Sequence, residues 1–111
     1  MAIVITTGKP KTLLAAIKDG VRAGTIANWI VDSDGDFTLS SDEWRHKAWL
    51  RPRVTDDGIV FNILAPKQST ISKTVYGIYH ARIVQTLLIH FDAEFQSARA
   101  TAMPVSLDKV S

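Results

Sequence analysis

Between Trp44 and Arg53, four cationic side chains are interleaved with two indoles. Arg45, Lys47, Arg51 and Arg53 can each meet a phosphate oxygen, while Trp44 and Trp49 offer flat rings for base stacking. Surfaces that hold single-stranded nucleic acid use this mixture. In an extended segment Trp49, Arg51 and Arg53 share one face, and Ala48, Leu50, Pro52 and Val54 share the other. A second cationic group, Lys67 and Lys73, opens the last helical segment, followed by Tyr76 and His80 one turn apart. Helix starts attract phosphate through free N–H groups and the helix dipole. These eight residues are the candidates for nucleic-acid contact. The competing assignment puts the tryptophans in the core, the arginines on a protected sheet edge, and Tyr76 and His80 at the rim of the core.

Asp32, Asp34, Asp36 and Glu43 fall at positions one, three, five and twelve of a stretch that resembles an EF-hand calcium loop. Phe37 stands at position six, where the sharp turn calls for glycine, and a bulky residue there costs ~1–2 kcal/mol. Ile26–Val31 reads as a strand where the entering helix would be. The expectation is an acidic turn that leaves Phe37 in the core and binds no calcium. His46, His80 and His90 lack the close spacing of a zinc site. No GxSxG, GxGxxG or GxxxxGK[ST] pattern occurs. No catalytic residue, metal site or cofactor site is read from the sequence, and no enzymatic activity is expected.

The elements that must position these groups follow from punctuation and periodicity. A helix is predicted from Pro10 or Lys11 to Gly24, with Leu13, Leu14, Ile17 and Val21 on one side. Thr25–Val31 reads as a strand, Asp32–Asp36 as a turn, and Ser40 with Glu43 as a capping box opening a short helical turn. Ala48–Val54 and Ile59–Leu64 flank Asp57-Gly58, a hairpin signal, and Pro52 marks an edge or a bulge. Ser69 or Thr70 caps a long helix over 71–98, whose apolar stripe runs from Val75 to Phe95. That gives an α+β fold of order α-β-β-β-α: a three-stranded antiparallel sheet, two helices packed on one face, and an open second face. Residues 1–8 form a loose leader and 101–111 a loose tail around an ordered core of about 10–100 in one domain.

With 111 residues, 46 % of them hydrophobic and 22 % charged, the chain has the composition of one globular domain. The absence of cysteine excludes disulfides, thiolate metal sites and thiol catalysis. The longest apolar runs are far too short to span a bilayer, and no secretory signal is read, so a cytoplasmic protein with no membrane partner is expected. The net charge of +2 is distributed unevenly. Residues 1–31 carry +3, 32–43 carry −5, 44–82 carry +5, and the remainder −1. An acidic loop therefore adjoins a basic middle.

The strings Asp34–Thr38, Lys47–Pro52 and Ser72–His80 are similar to stretches of small uncharacterised bacterial proteins, a resemblance that implies no activity. The α-β-β-β-α order resembles the double-stranded-RNA-binding domain. That resemblance implies phosphate contacts at the start of the last helix, where Lys67 and Lys73 match. Together these readings predict a non-catalytic domain that binds nucleic acid through the basic hairpin and the start of the last helix. The alternative is a protein-interaction or homodimerisation module. A helix over 71–98 would be ~40 Å long and overhang the domain, which predicts a homodimer with Val84 and Leu88 at its interface.

Overall fold

The structure is a computed structural model that describes residues 2–111. It is an α+β fold with two helices and an antiparallel sheet of six strands, double the number expected. Ala2–Thr6 forms β1, Pro10–Arg22 α1, Trp29–Val31 β2 and Phe37–Leu39 β3. Trp49–Val54 and Gly58–Leu64 form the β4–β5 hairpin, followed by α2 (Lys73–His90) and β6 (Ser97–Ala100). In space the strands run β2-β3-β4-β5-β1-β6.

The largest correction concerns the leader. Residues 2–6 are not loose but form β1, paired with β5 on one side and β6 on the other. Met1, at the head of that leader, lies outside the described residues. β-Branched Ile3, Val4, Ile5 and Thr6 suit a pleated strand, and a central strand can be apolar on both faces. Ile3 and Ile5 are fully buried, opposite Phe61 and Ile59 of β5.

Register assigns the two faces of the sheet. Trp29, Phe37, Leu39, Leu50, Ile59, Phe61, Ile63, Ile3 and Ile5 join one core with Leu13, Ile17 and Val21 of α1 and Tyr76, Tyr79, Ile83 and Leu87 of α2. The intervening residues of β4, β5 and β1 turn to the outer face, whereas Thr38 of β3 is buried and meets the Tyr79 hydroxyl. Pro52 lies where β4 has β5 on one side only, because β3 reaches β4 at a single pair, Phe37 with Leu50. A missing N–H is harmless there.

α2 is shorter than its apolar period suggests. Its 18 residues span about 27 Å, which fits within a domain of 36 × 29 × 22 Å, so the overhang behind the expected dimer is absent. Its cap is Ser72, whose Oγ accepts from Val75 N at 3.1 Å, rather than Ser69 or Thr70. The helix stops at Phe91; Phe91 and Phe95 still pack against the core, from the turn that leads into β6. Asp92 and Glu94 in that turn would oppose the dipole at a helix C-terminus. Ser40 does not cap either: its Oγ donates to Ala27 O at 3.1 Å, and residues 41–47 make turns rather than a helix.

The tail is anchored by Asp108. Its Oδ1 accepts from Asn62 Nδ2 and Ile63 N, each at 3.0 Å, and its Oδ2 accepts from Val105 N at 2.8 Å. Burial works against the charged form, but donated hydrogen bonds, these among them, outweigh it and hold the carboxyl below its usual pKa. Lys109 bridges Leu64, and Val110 O accepts from Ile71 N, so the chain end is stitched to β5 and to the approach to α2. Among the described residues, no helix is long and apolar enough to cross a membrane.

Candidate functional site

The outer face of the sheet gathers part of the cationic set. β4 turns Trp49, Arg51 and Arg53 outward, as the alternation predicts. The ladder then aligns Arg53 with Val60, Val60 with Val4, and Val4 with Arg99 in one row across four strands. Three strand spacings put Arg53 and Arg99 roughly 14 Å apart at their Cα atoms. Both arginines are exposed, and the two valines between them are half-buried. Arg51, Asn62 and Ala2 make the next row, and Trp49 with Leu64 the one after it.

Half-buried Trp49 is flanked by His46, with ring centroids 5.7 Å apart and planes within 10°. His46 reaches this position in a left-handed conformation, φ 60°, and its N–H donates to Thr38 Oγ at 3.1 Å. Trp29 is instead core: its Nε1–H donates to Thr86 Oγ at 2.9 Å. Lys47 is exposed beside the stack. Among the described residues Lys47, Arg53 and Arg99 form no ion pair.

Two of the expected cations are already engaged. Arg51 grips Asp36 with both ends of its fork, Nε to Oδ1 at 3.0 Å and Nη2 to Oδ2 at 2.8 Å. That hydrogen bonding and charge raise the Arg51 pKa against a small burial effect, with Asp34 and Asp32 adding to the rise. Asp36 is buried, so removing Arg51 would strand a carboxylate. Arg45 pairs with Asp42 at 2.7 Å, both well exposed, a contact of little energetic weight.

Tyr76 and His80 do not belong to the site. Both are buried, their rings stack at 4.8 Å, and His80 Nδ1–H donates to Tyr76 O at 2.6 Å. The Tyr76 hydroxyl has no hydrogen-bond partner among the described residues; burial first, and the charge of Asp108 second, push its pKa up to about 12. A turn of α2 places Tyr76, His80, Ile83 and Leu87 along one line, so the buried face is wider than the stripe read from sequence. Lys67, in the link after β5, and Lys73, the first residue of α2, are exposed, and neither belongs to a strand of the sheet. Arg99 is the contributor that sequence reasoning missed, because its strand carries no periodic signal.

In the acidic turn, one carboxylate oxygen from each of Asp32, Asp34 and Asp36 lies within 4.8 Å of the others. Asp32 Oδ1 accepts from Asp34 N at 2.9 Å and Asp36 N at 3.0 Å, and Gly35 supplies the left-handed turn at φ 84°. Phe37 is fully buried in β3, as expected. With Asp36 held by Arg51, calorimetry should find no calcium binding tighter than ~10⁻⁴ M; a tighter constant would refute this.

Two recesses lie elsewhere. One of about 550 Å³, between the start of α1 and the turn before β6, is lined by Thr7, Lys9, Thr12, Phe91 and Glu94. The other, about 660 Å³, runs along α2 beside Ile3 and Ala100 and includes Val84 and Leu88, the expected interface pair. Val84 is half-buried against the core, whereas Leu88 is 54 % and Ile89 65 % exposed.

Comparison of the chain with protein-family models, with curated proteins and with solved structures found no match.

Proposed function

We propose that this is a non-catalytic domain that binds nucleic acid, preferentially single-stranded, across the outer face of its sheet. The observation that carries the reading is the row Arg53–Val60–Val4–Arg99, with exposed cations at both ends of an apolar strip and a Trp49–His46 stack on the same face. Cations can track a phosphate backbone while flat side chains receive bases, and an open sheet suits splayed single strands better than a duplex. Lys47 adds a third unpaired cation.

Three phosphate contacts, at about −0.7 per phosphate on single strands, predict a log–log salt slope near −2. A fluorescence titration with single-stranded RNA and DNA between about 20 and 200 mM salt measures it. Arg53→Ala and Arg99→Ala should each make the slope shallower by about 0.7, while the Lys67→Ala/Lys73→Ala pair leaves it unchanged. No binding at the lowest salt to any single strand or duplex would sink the reading. A slope that responds only to Lys67 and Lys73 would move the contact to the start of α2.

A further inference from the structure

We infer that two copies of this chain pair side by side through β6, with the exposed strip of α2 packed against its twofold-related counterpart. This does not depend on nucleic-acid binding. The sheet has two edges, and they differ. β2 is three residues long and packs against α1, whereas β6 carries four residues with no proline and, among the described residues, no strand paired beyond it. Such an edge is a template for another strand.

Its backbone polarity fixes which groups are available. Thr101 N donates to Ala2 O, so alternation along the antiparallel ladder turns Arg99 toward β1 and leaves Ala98 and Ala100 directing N–H and C=O outward. Beside this edge α2 exposes Leu88 and Ile89, and Ala81, Val84, His80 and Gln85 also line the groove. Toward its C-terminal end α2 carries apolar side chains beyond its buried face: Leu88 and Ile89 are exposed, next to buried Leu87.

A twofold axis perpendicular to the sheet satisfies both features at once. It makes β6 antiparallel to its copy, keeps both helical layers on one side, and brings the two α2 strips together. The four-residue strand and two turns of helix beside it present roughly 500 Å² per copy, about 1,000 Å² in all, at the small end of specific interfaces. The dimer should therefore dissociate on dilution. Pairing Ala98 with Ala98 of the second copy sets Arg99 opposite Ser97, whereas pairing Ala98 with Ala100 would oppose two Arg99 side chains. Like charges directly opposite are destabilising, which selects the first register. The two outer faces then form one continuous twelve-stranded surface.

Light scattering over about 5–500 µM should show the mass rising from 12.2 kDa toward twice that value. Leu88→Glu, at an exposed position, and Ala98→Pro, which removes an outward N–H, should each hold the mass at one chain with the circular dichroism unchanged. Because the protein has no cysteine, register can be read directly. A mixture of Ser97→Cys and Arg99→Cys proteins should form disulfides at least tenfold faster than either alone, since non-hydrogen-bonded pairs lie about 4.5 Å apart at Cα, within disulfide range. A wild-type mass of one chain at the highest concentration overturns the inference, and points to a different protein on this edge. So does a dimer that survives both substitutions, or crosslinking fastest with Arg99→Cys alone.

Discussion

Replacing Gly58 by alanine is expected to destabilise the domain by roughly 4 kcal/mol or more, among the largest effects a single methyl group can have. A Cβ built at Gly58 would lie 1.7 Å from the carbonyl oxygen of Ile5 and 2.8 Å from its carbon. The obstacle is backbone, not a flexible side chain, so β1 and β5 would have to separate. That separation would strain Thr6 opposite Gly58, the Thr7 N to Asp57 O bond at 3.1 Å, and the Ile5–Ile59 pair beside them. At about 4–8 °C per kcal/mol, the melting temperature should fall by at least ~15 °C. Gly77 provides the opposite sign. Nothing lies within 4 Å of a Cβ there, so Gly77→Ala should raise stability by about 1 kcal/mol through helix propensity alone. Calorimetry of both variants decides: a loss at Gly58 of under ~1 kcal/mol would show that the strands can shift to make room.

Gly58 also shows why the sequence was only partly legible. Asp57-Gly58 announces a hairpin, and the hairpin is there, with Thr55 N donating to Gly58 O at 2.8 Å. The glycine is required for a different reason, the close passage of β1, a partner more than fifty residues away in the chain. β1 itself was missed because Ala2–Ile5 is apolar at every position and offers no alternation to recognise. β6 was missed because Ser-Ala-Arg-Ala has no strand propensity; pairing with β1 holds it in place. The end of α2 was misplaced because Phe91 and Phe95 keep the helical period while packing inward from a turn.

The candidate site divides along the same line. The outward set Trp49, Arg51 and Arg53 was readable, because strand alternation depends only on neighbours in sequence. That Arg51 is occupied by Asp36 and that Arg99 completes the row are facts of register between distant segments. Helical spacing sets His80 and Tyr76 on a face with Lys73, oblique to the apolar stripe, but the same spacing also aligns them with Ile83 and Leu87, and they lie on the buried side.

Removal of one oxygen from the core should be the second large perturbation: Tyr79→Phe is expected to cost about 2–4 kcal/mol. Tyr79 is fully buried, and its hydroxyl donates to Trp44 O at 2.5 Å and accepts from Leu39 N at 3.3 Å. Since that single proton goes to Trp44, Thr38 Oγ donates to Tyr79 across 3.1 Å and itself accepts from His46 N. The hydroxyl thus ties β3 to the loop that carries His46 onto Trp49. Phenylalanine would keep the ring and its edge-on contact with Trp29, 5.9 Å between centroids, so the loss isolates the polar links. Each buried group left unpartnered costs about 1–3 kcal/mol, and Leu39 N and the Thr38 hydroxyl proton are two of them, while Trp44 O keeps Lys47 N at 3.3 Å. A fall in melting temperature of roughly 10–20 °C should follow, with faster amide exchange at His46. If the Trp49–His46 stack receives a base, the variant should also bind single strands more weakly while keeping its salt slope, because no cation has been removed. A melting temperature within about 3 °C of wild type would mean that water replaces the hydroxyl and that the loop is held by other contacts.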